Sequence, residues 1–188
     1  MQAANEGAQA ARSEGVQSLG IRVNLPFEQE VNPFVEQAFE HATFFTRLHH
    51  FVLVSDAYIV APGGIGTVLE SMMIWQLLQV RHLHDIPLIF AGPMWKGLVE
   101  WASAQMLRPG FELAKPEDIR IPRCVDNAAE AVGIIRDHHA RLVERAGQVL
   151  LRAGATGRRL AVEHRLSVFL PPARSWGRSW GQREQRIC

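Results

Sequence analysis

The chain has 188 residues and is 47% hydrophobic, so it can bury one sizeable core and is short for two domains. Its formal net charge is +1, but residues 152–188 carry eight arginines and two acids, a net +6, which leaves −5 for the rest. No apolar run has the length of a membrane span, and the N-terminus lacks a signal-peptide pattern. Because two cysteines make no disulfide framework, we expect a cytoplasmic protein.

The N-terminal part alternates between helical and extended patterns. The Ala-rich segment 1–15 predicts a helix that begins at the first residue. We expect a strand at 19–25 and then a loop at 26–34, which contains two prolines and an asparagine. The next segment is ambiguous, and we interpret it as an extended piece at 39–45 followed by a helix at 46–54.

The middle of the chain shows the clearest periodicity. A short, β-branched apolar run at 57–62 is typical of a buried strand, and apolar residues at helical spacing follow at 67–83. A second buried strand is expected at 86–92. The segment 94–110 predicts a helix that ends at its final glycine.

The C-terminal part begins with a weaker strand at 119–125, in which Pro122 indicates an edge position. A long helix with an Asp or Asn cap follows at 126–154. Since buried strands alternate with helices, the sequence predicts an α/β domain with a parallel sheet over residues 1–154. Arg, Gly, Pro, Ser and Trp dominate residues 155–188, which we expect to form a disordered tail.

The segment VAPGGIGTVLESMM, residues 60–73, places three glycines between a predicted strand and a predicted helix. Glycines let a backbone approach an anion and adopt positive φ, and the N–H groups at a helix start attract the anion. Thr67 adds a hydroxyl that could bind the anion or cap the helix. The pattern therefore predicts a phosphate cradle. It is neither G-x-x-x-x-G-K-S/T nor G-x-G-x-x-G, which gives little support to an ATPase or an ordinary dehydrogenase.

Glu70 has two interpretations on these grounds. Together with Thr67 it forms the Thr-x-x-Glu pattern of a capping box, in which both side chains satisfy N–H groups of the first helical turn. Alternatively, as a lone acid beside a bound nucleotide, it could act on the sugar. The spacing alone leaves both interpretations open.

Three segments carry a resemblance to a known family. PGGIGTVLE, residues 62–70, matches the PGGxGTxxE signature of the "lonely guy" (LOG) family of nucleoside 5′-monophosphate phosphoribohydrolases, formerly described as lysine decarboxylases. LGIRVNLPFEQEVNPFV (19–35) and FFTRLHHFVLVSDAYIVAPGG (44–64) also resemble family segments. The similarity extends over about residues 1–140. It implies a Rossmann-like, doubly wound parallel sheet with flanking helices and a homodimer that packs through the helix after the signature.

The resemblance also implies an activity. Family members hydrolyse the N-glycosidic bond of a nucleotide, so the expected substrate is a purine nucleoside monophosphate, such as AMP or a cytokinin riboside 5′-monophosphate. Glu70 would bind the ribose and stabilise its positive charge, and Arg47 would contact the nucleotide and assist the departing base. No cofactor, metal, membrane or nucleic-acid partner is implied. The expected phosphate-binding residues are Gly63, Gly64, Gly66 and Thr67.

The chain departs from the family pattern in ways that favour an alternative function. Met1 falls on the last residue of the family's first Gly-rich loop, so we expect an N-terminally truncated domain. Leu48 occupies the lysine position of the family's Arg-Lys pair, and Leu69 replaces the first acid of its Glu-Glu pair. The alternative is a catalytically impaired nucleotide- or cofactor-binding Rossmann-like protein.

Other reactive side chains are interpreted as structural. The histidines occur mainly in the pairs 49–50, 82 and 84, and 138–139, and no Cys or carboxylate set completes a metal site, so we expect surface or helix-end residues. A pyridoxal-dependent lysine decarboxylase needs a Schiff-base lysine. The two lysines, Lys96 and Lys115, lie far along the chain from the Gly-rich segment.

Overall fold

The computed structural model describes residues 2–24 and 32–155, and side chains up to residue 149. Most of the loop predicted at 26–34 and nearly all of the predicted tail therefore lie outside the described residues. The strands are β1 Leu19–Val23, β2 Gln37–His41, β3 Tyr58–Val60, β4 Leu88–Ala91 and β5 Pro122–Val125. The helices are α1 Gln2–Ala10, α2 Phe44–Val54, α3 Ile65–Gln79, α4 Pro93–Met106, α5 Pro116–Ile119 and α6 Ala128–Ala155, and a 3₁₀ turn spans Arg12–Glu14.

The chain divides into two units. Met1–Ile135 holds every strand that the structure describes, and Arg136–Cys188 is described only where α6 continues. No helix within the described ranges is long and apolar enough to cross a membrane. The predicted boundary at residue 154 stays a prediction.

The strands form parallel sheets flanked by helices, which confirms the predicted α/β class. One sheet pairs β1 with β2, from Leu19 opposite Gln37 onward. The other has the order β3-β4-β5. Every described strand pair is parallel, as expected when a helix or a long loop crosses over between successive strands.

Strand β4 is buried on both faces, which makes the second sheet the centre of the core. Leu88 and Phe90 lie in a cluster with Trp75 of α3 and Trp95 of α4. Ile89, which points to the opposite face, packs on Val125 of β5 and on the first turns of α6. Helices therefore cover both faces, and the predicted doubly wound arrangement is confirmed.

Strand β1 keeps an edge at which none of the described strands pairs. The Asn24 N–H donates to the His41 carbonyl at 2.9 Å, so the even-numbered residues of β1 direct their backbone groups towards β2. Because backbone groups alternate in direction along a strand, the N–H and C=O groups of Leu19, Ile21 and Val23 point to the other edge. A partner for these groups must come from outside this sheet.

Pro122 lies on an edge strand, as predicted. The Gly92 N–H of the loop after β4 donates to the Val125 carbonyl at 2.8 Å, which sets the alternation of β5. The backbone of Pro122 consequently points away from β4, where a missing N–H removes no ladder bond.

Several predicted helix limits were wrong. The helix predicted over 1–15 ends at Ala10, and the helix predicted at 67–83 spans Ile65–Gln79. Two further limits differ for identifiable local reasons. The helix predicted at 94–110 ends at Met106, because a residue that precedes a proline disfavours helical φ and ψ, and Pro109 follows. The helix predicted from residue 46 begins at Phe44, because the Thr43 hydroxyl accepts the Thr46 N–H at 3.2 Å and caps it. The Asn cap of α6 is confirmed, since the Asn127 side chain accepts the Glu130 N–H at 2.9 Å.

Tyr58 gives a spectroscopic test of this core, because it is the chain's one tyrosine and is only 3% exposed. Burial raises the pKa of Tyr58 to about 12, and the nearby Asp56 carboxylate adds to the increase, against a hydrogen bond with Ser55. The fold therefore favours the neutral phenol and gains stability against unfolding from it. This contribution is complete below a pH of about 10 and is lost as the pH rises towards 12.

We expect tyrosinate absorbance to appear near pH 12 in the folded protein and near pH 10 in urea. Tyr58→Phe should remove the signal and make the free energy of unfolding less dependent on pH above about 10. A folded-state midpoint close to 10 would contradict the burial of this side chain.

Candidate functional site

The Gly-rich segment forms an exposed turn, residues 61–64, between β3 and α3. Helix α3 has Gly64 as its N-cap, and no side chain caps its first turn. The Val68 N–H donates to the Gly64 carbonyl at 3.1 Å, which closes the first helical hydrogen bond. The turn therefore presents the uncapped start of a helix, the arrangement that attracts anions.

The capping-box interpretation of Glu70 is wrong. A capping box requires its Ser or Thr at the N-cap, whereas Thr67 is already the third residue of α3. Glu70 consequently lies in the second turn, beyond reach of the first N–H groups. Its carboxylate has another partner.

The glycines of the turn differ in what they require. A Cβ on Gly63 would lie 2.3 Å from the Thr67 hydroxyl, so the Thr67 side chain packs directly over this glycine. A Cβ on Gly64 or Gly66 would meet nothing within 4 Å. None of the three has the positive φ that the sequence led us to expect; in this region it occurs at Gly92 (φ 104°), the N-cap of α4. The glycines of this turn therefore allow close approach to the backbone and do not provide a positive φ.

Gly92 is a residue that the sequence analysis missed. It follows β4, and a Cβ there would lie 3.2 Å from Pro62 of the Gly-rich turn. The loops at the carboxyl ends of β3 and β4 are therefore in direct contact, at the edge where α/β sheets bind ligands. A Gly-Pro pair directly after a buried strand was the available signal.

The structure brings the two predicted catalytic residues together. Arg47 of α2 and Glu70 of α3 form an ion pair through Nη1 and Oε1, and their side chains are 14% and 26% exposed. The Arg47 Nε–H donates to the Ile21 carbonyl at 2.9 Å, at the open edge of β1. One guanidinium therefore joins α2 to β1 and to the helix that follows the Gly-rich turn.

The two positions that depart from the family pattern face different environments. Leu48 is buried and anchors α2 in the protein, whereas Leu69 is half exposed on α3. Because neighbouring helical residues point about 100° apart, Leu48 faces away from the side of α2 that carries Arg47. Leu48 is thus a packing residue.

His50, interpreted from the sequence as a surface or helix-end residue, forms a specific contact with His41. His41 Nε2 and His50 Nδ1 lie 2.9 Å apart and join the end of β2 to α2. No local sequence pattern indicates this pair, because the two residues meet only through the packing of α2 on the first sheet.

Metal and lysine chemistry receive no support from the described part of the chain. Within it, no group of three or more His, Cys, Asp or Glu side chains could hold a metal ion. Lys96 Nζ donates to Asp126 at 2.6 Å, a bond that raises the pKa of Lys96 and keeps the amine protonated. Lys115 is exposed at the start of α5. An amine must be neutral to condense with a carbonyl group.

Comparison with protein families indicates which family the chain belongs to. A family model described as "possible lysine decarboxylase" matches residues 1–135. No curated protein matches the chain. The matched range includes all five strands, the Gly-rich turn and both members of the Arg47–Glu70 pair, and it confirms the family that the three sequence segments indicate.

The contact between Gly63 and Thr67 can be tested by substitution. Gly63→Ala should destabilise the protein by about 1–3 kcal/mol, because its Cβ overlaps the Thr67 side chain. Gly66→Ala is the matched control, since it meets open space in a helix and should be neutral or stabilising by up to about 1 kcal/mol. Urea unfolding measures both, and equal free energies for the two variants would contradict the packing of Thr67 over Gly63.

Proposed function

Since the chain belongs to the family of possible lysine decarboxylases, the LOG family, we propose that it is a phosphoribohydrolase. It would hydrolyse the N-glycosidic bond of a purine nucleoside 5′-monophosphate, AMP or a cytokinin riboside monophosphate, and release the base and ribose 5-phosphate. The contact between Arg47 of α2 and Glu70 of α3, the helix that begins at the Gly-rich turn, carries the proposal.

The Gly-rich turn would bind the phosphate. The first N–H groups of α3 have no side-chain cap, and the positive end of the helix dipole favours an anion there. Gly64 and Gly66 leave open space around the backbone, so a phosphate can approach it closely. The Thr67 hydroxyl, which lies over Gly63, would donate a further hydrogen bond to the phosphate.

The ribose would lie near Glu70. Cleavage of an N-glycosidic bond passes through an oxocarbenium-like state, which a carboxylate stabilises. The base departs from C1′ with the bonding electron pair, a water oxygen bonds to C1′, and the proton that this water loses balances the one that the base gains. Glu70 would stabilise the positive sugar and orient that water.

Arg47 would assist the departing base without donating a proton. A guanidinium stays charged in proteins, so it acts by hydrogen bonding and by its charge. It has five N–H donors, and the contacts with Ile21 and Glu70 use two of them. The others are available to a nucleotide, and a ligand that draws Arg47 away would release the Glu70 carboxylate for the ribose.

Leu48 favours the second candidate, a protein that binds a nucleotide without hydrolysing it. In the family pattern a lysine occupies this position, whereas here the side chain is apolar and buried. The positive charge that follows Arg47 in the family pattern is therefore replaced by an apolar packing residue. Binding of AMP without release of adenine would identify this function.

We also propose that the protein works as a homodimer in the cytoplasm. Ile65 and Leu69, one turn apart on α3, are 86% and 51% exposed, and such apolar faces are commonly covered by a partner. Sedimentation equilibrium of the protein and of an Ile65→Ser, Leu69→Ser double variant tests this. A monomer in both cases would contradict it.

Glu70→Gln tests the proposed catalysis. It removes the negative charge with little change of shape, so release of free base from AMP should fall by about 10²-fold or more. Glu40→Gln is the matched control, because Glu40 also pairs with an arginine, Arg22, at 3.5 Å but lies on β2. It should leave turnover unchanged.

The assay should follow free base and ribose 5-phosphate together, with unfolding curves of each variant as a check on folded protein. Turnover of Glu70→Gln equal to that of the unsubstituted protein would show that the carboxylate has only a structural role.

A further inference from the structure

The His41–His50 contact is not explained by the proposed catalysis. His41 is the last residue of β2, and His50 lies on α2, with both side chains partly buried. Phe39, also on β2, contacts the His50 ring edge-on at 4.8 Å between centroids. The pair therefore joins the helix that carries Arg47 to the second strand of its sheet.

The geometry is that of a hydrogen bond between rings and not of a metal site. The ring centroids are 5.1 Å apart and the nitrogens 2.9 Å, so the two nitrogens point almost directly at each other. A metal would need both lone pairs to converge on a third point. Here one ring donates an N–H to the lone pair of the other, which requires that at least one imidazole be neutral at the shared contact.

The pair lies next to Arg47 on the same side of α2. His50 follows Arg47 by three residues, a spacing that places side chains on one helical face. Arg47 donates a hydrogen bond to the Ile21 carbonyl of β1, and His50 is hydrogen-bonded to His41 of β2. Two adjacent polar contacts therefore fix α2 on both strands of the first sheet.

We propose that His41 and His50 are positioning residues that place the Arg47 guanidinium, and that this placement requires a single shared proton between the rings. The proposal rests on the proposed function for its catalytic consequence only. When both rings are protonated, two N–H groups face each other and the contact becomes repulsive. Helix α2 then loses its attachment to β2, and Arg47 loses its alignment with Ile21 and Glu70.

The charged groups around the pair already contact groups of opposite charge. On the first sheet, Arg22 of β1 is matched by Glu40 of β2, and on the helices Arg47 is matched by Glu70 of α3. His49, the neighbour on α2, is exposed. A second proton on the pair would thus add a positive charge one helical turn from a guanidinium, which is unfavourable.

The test compares three substitutions in the full chain. His50→Ala removes the contact, whereas His50→Gln keeps an uncharged group that can bond to His41 at any pH. His49→Ala removes a neighbouring histidine that lies outside the pair. We expect base release by His50→Ala to fall about 10-fold or more in kcat at neutral pH. His50→Gln should retain most of the activity, and His49→Ala should match the unsubstituted protein.

The pH profile separates positioning from a general loss of structure. The unsubstituted protein should lose turnover under acid conditions that protonate both rings, while His50→Gln keeps it under the same conditions. Identical acid limits for these two proteins would overturn the proposal.

A second measurement does not depend on catalysis. The Arg47 Nε–H resonance, assigned by its loss in Arg47→Lys, reports the bond to Ile21. Its chemical shift should be that of the hydrogen-bonded group at neutral pH and should change in acid in the unsubstituted protein, stay constant in both conditions in His50→Gln, and be altered in both conditions in His50→Ala. If no protein releases base but this pattern holds, the proposed function fails and the positioning pair stands. An Nε–H signal that is the same in all variants would disprove the pair's role.

Discussion

The arrangement of the site depends on a single guanidinium. Arg47 supplies a hydrogen bond to a carbonyl at the open edge of β1 and an ion pair to Glu70 of α3. A backbone carbonyl without a partner is unfavourable when water is excluded, and so is a shielded carboxylate. The planar, permanently charged fork of arginine can satisfy both in fixed directions, which a lysine ammonium on a flexible stem would do less well. This side chain thereby joins the first sheet to α3, the helix that follows the Gly-rich turn.

The second sheet provides the rigid support for that contact. Its central strand, β4, is buried on both faces, so its neighbours cannot shift without opening the core. The loops after β3 and β4 lie side by side at the carboxyl ends of these strands, with Gly92 packed against Pro62. An exposed, uncapped helix start is therefore held by a well-packed scaffold. Such preorganisation is what binding of an anion without reordering of the backbone requires.

The parts of the fold that the sequence predicts are those governed by local patterns. Apolar β-branched runs located β3 and β4, and the position of Pro122 identified an edge strand, because each depends on chemistry within a few residues. The predicted start of α2 was wrong, and so was the capping-box interpretation of Glu70. Both depend on which residue begins the helix, and the Thr43 cap and the Gly64 cap shift that start by two or three residues. The His41–His50 contact cannot be predicted from any local pattern, since it requires the packing of α2 on β2.

If the proposed function holds, the Arg47–Glu70 pair would have two roles, and these would compete energetically. In the ligand-free protein each charge compensates the other, and loss of one partner from a partly buried pair leaves a shielded charge without compensation. The side chains keep some contact with water, so the penalty is smaller than the about 3–5 kcal/mol of a fully buried pair. A nucleotide that draws Arg47 to its base must replace this compensation, and the positive charge that develops on the ribose can do so for Glu70. The pair would then be strongest in the absence of substrate and weakest at the transition state, so its carboxylate becomes available when the sugar becomes positive.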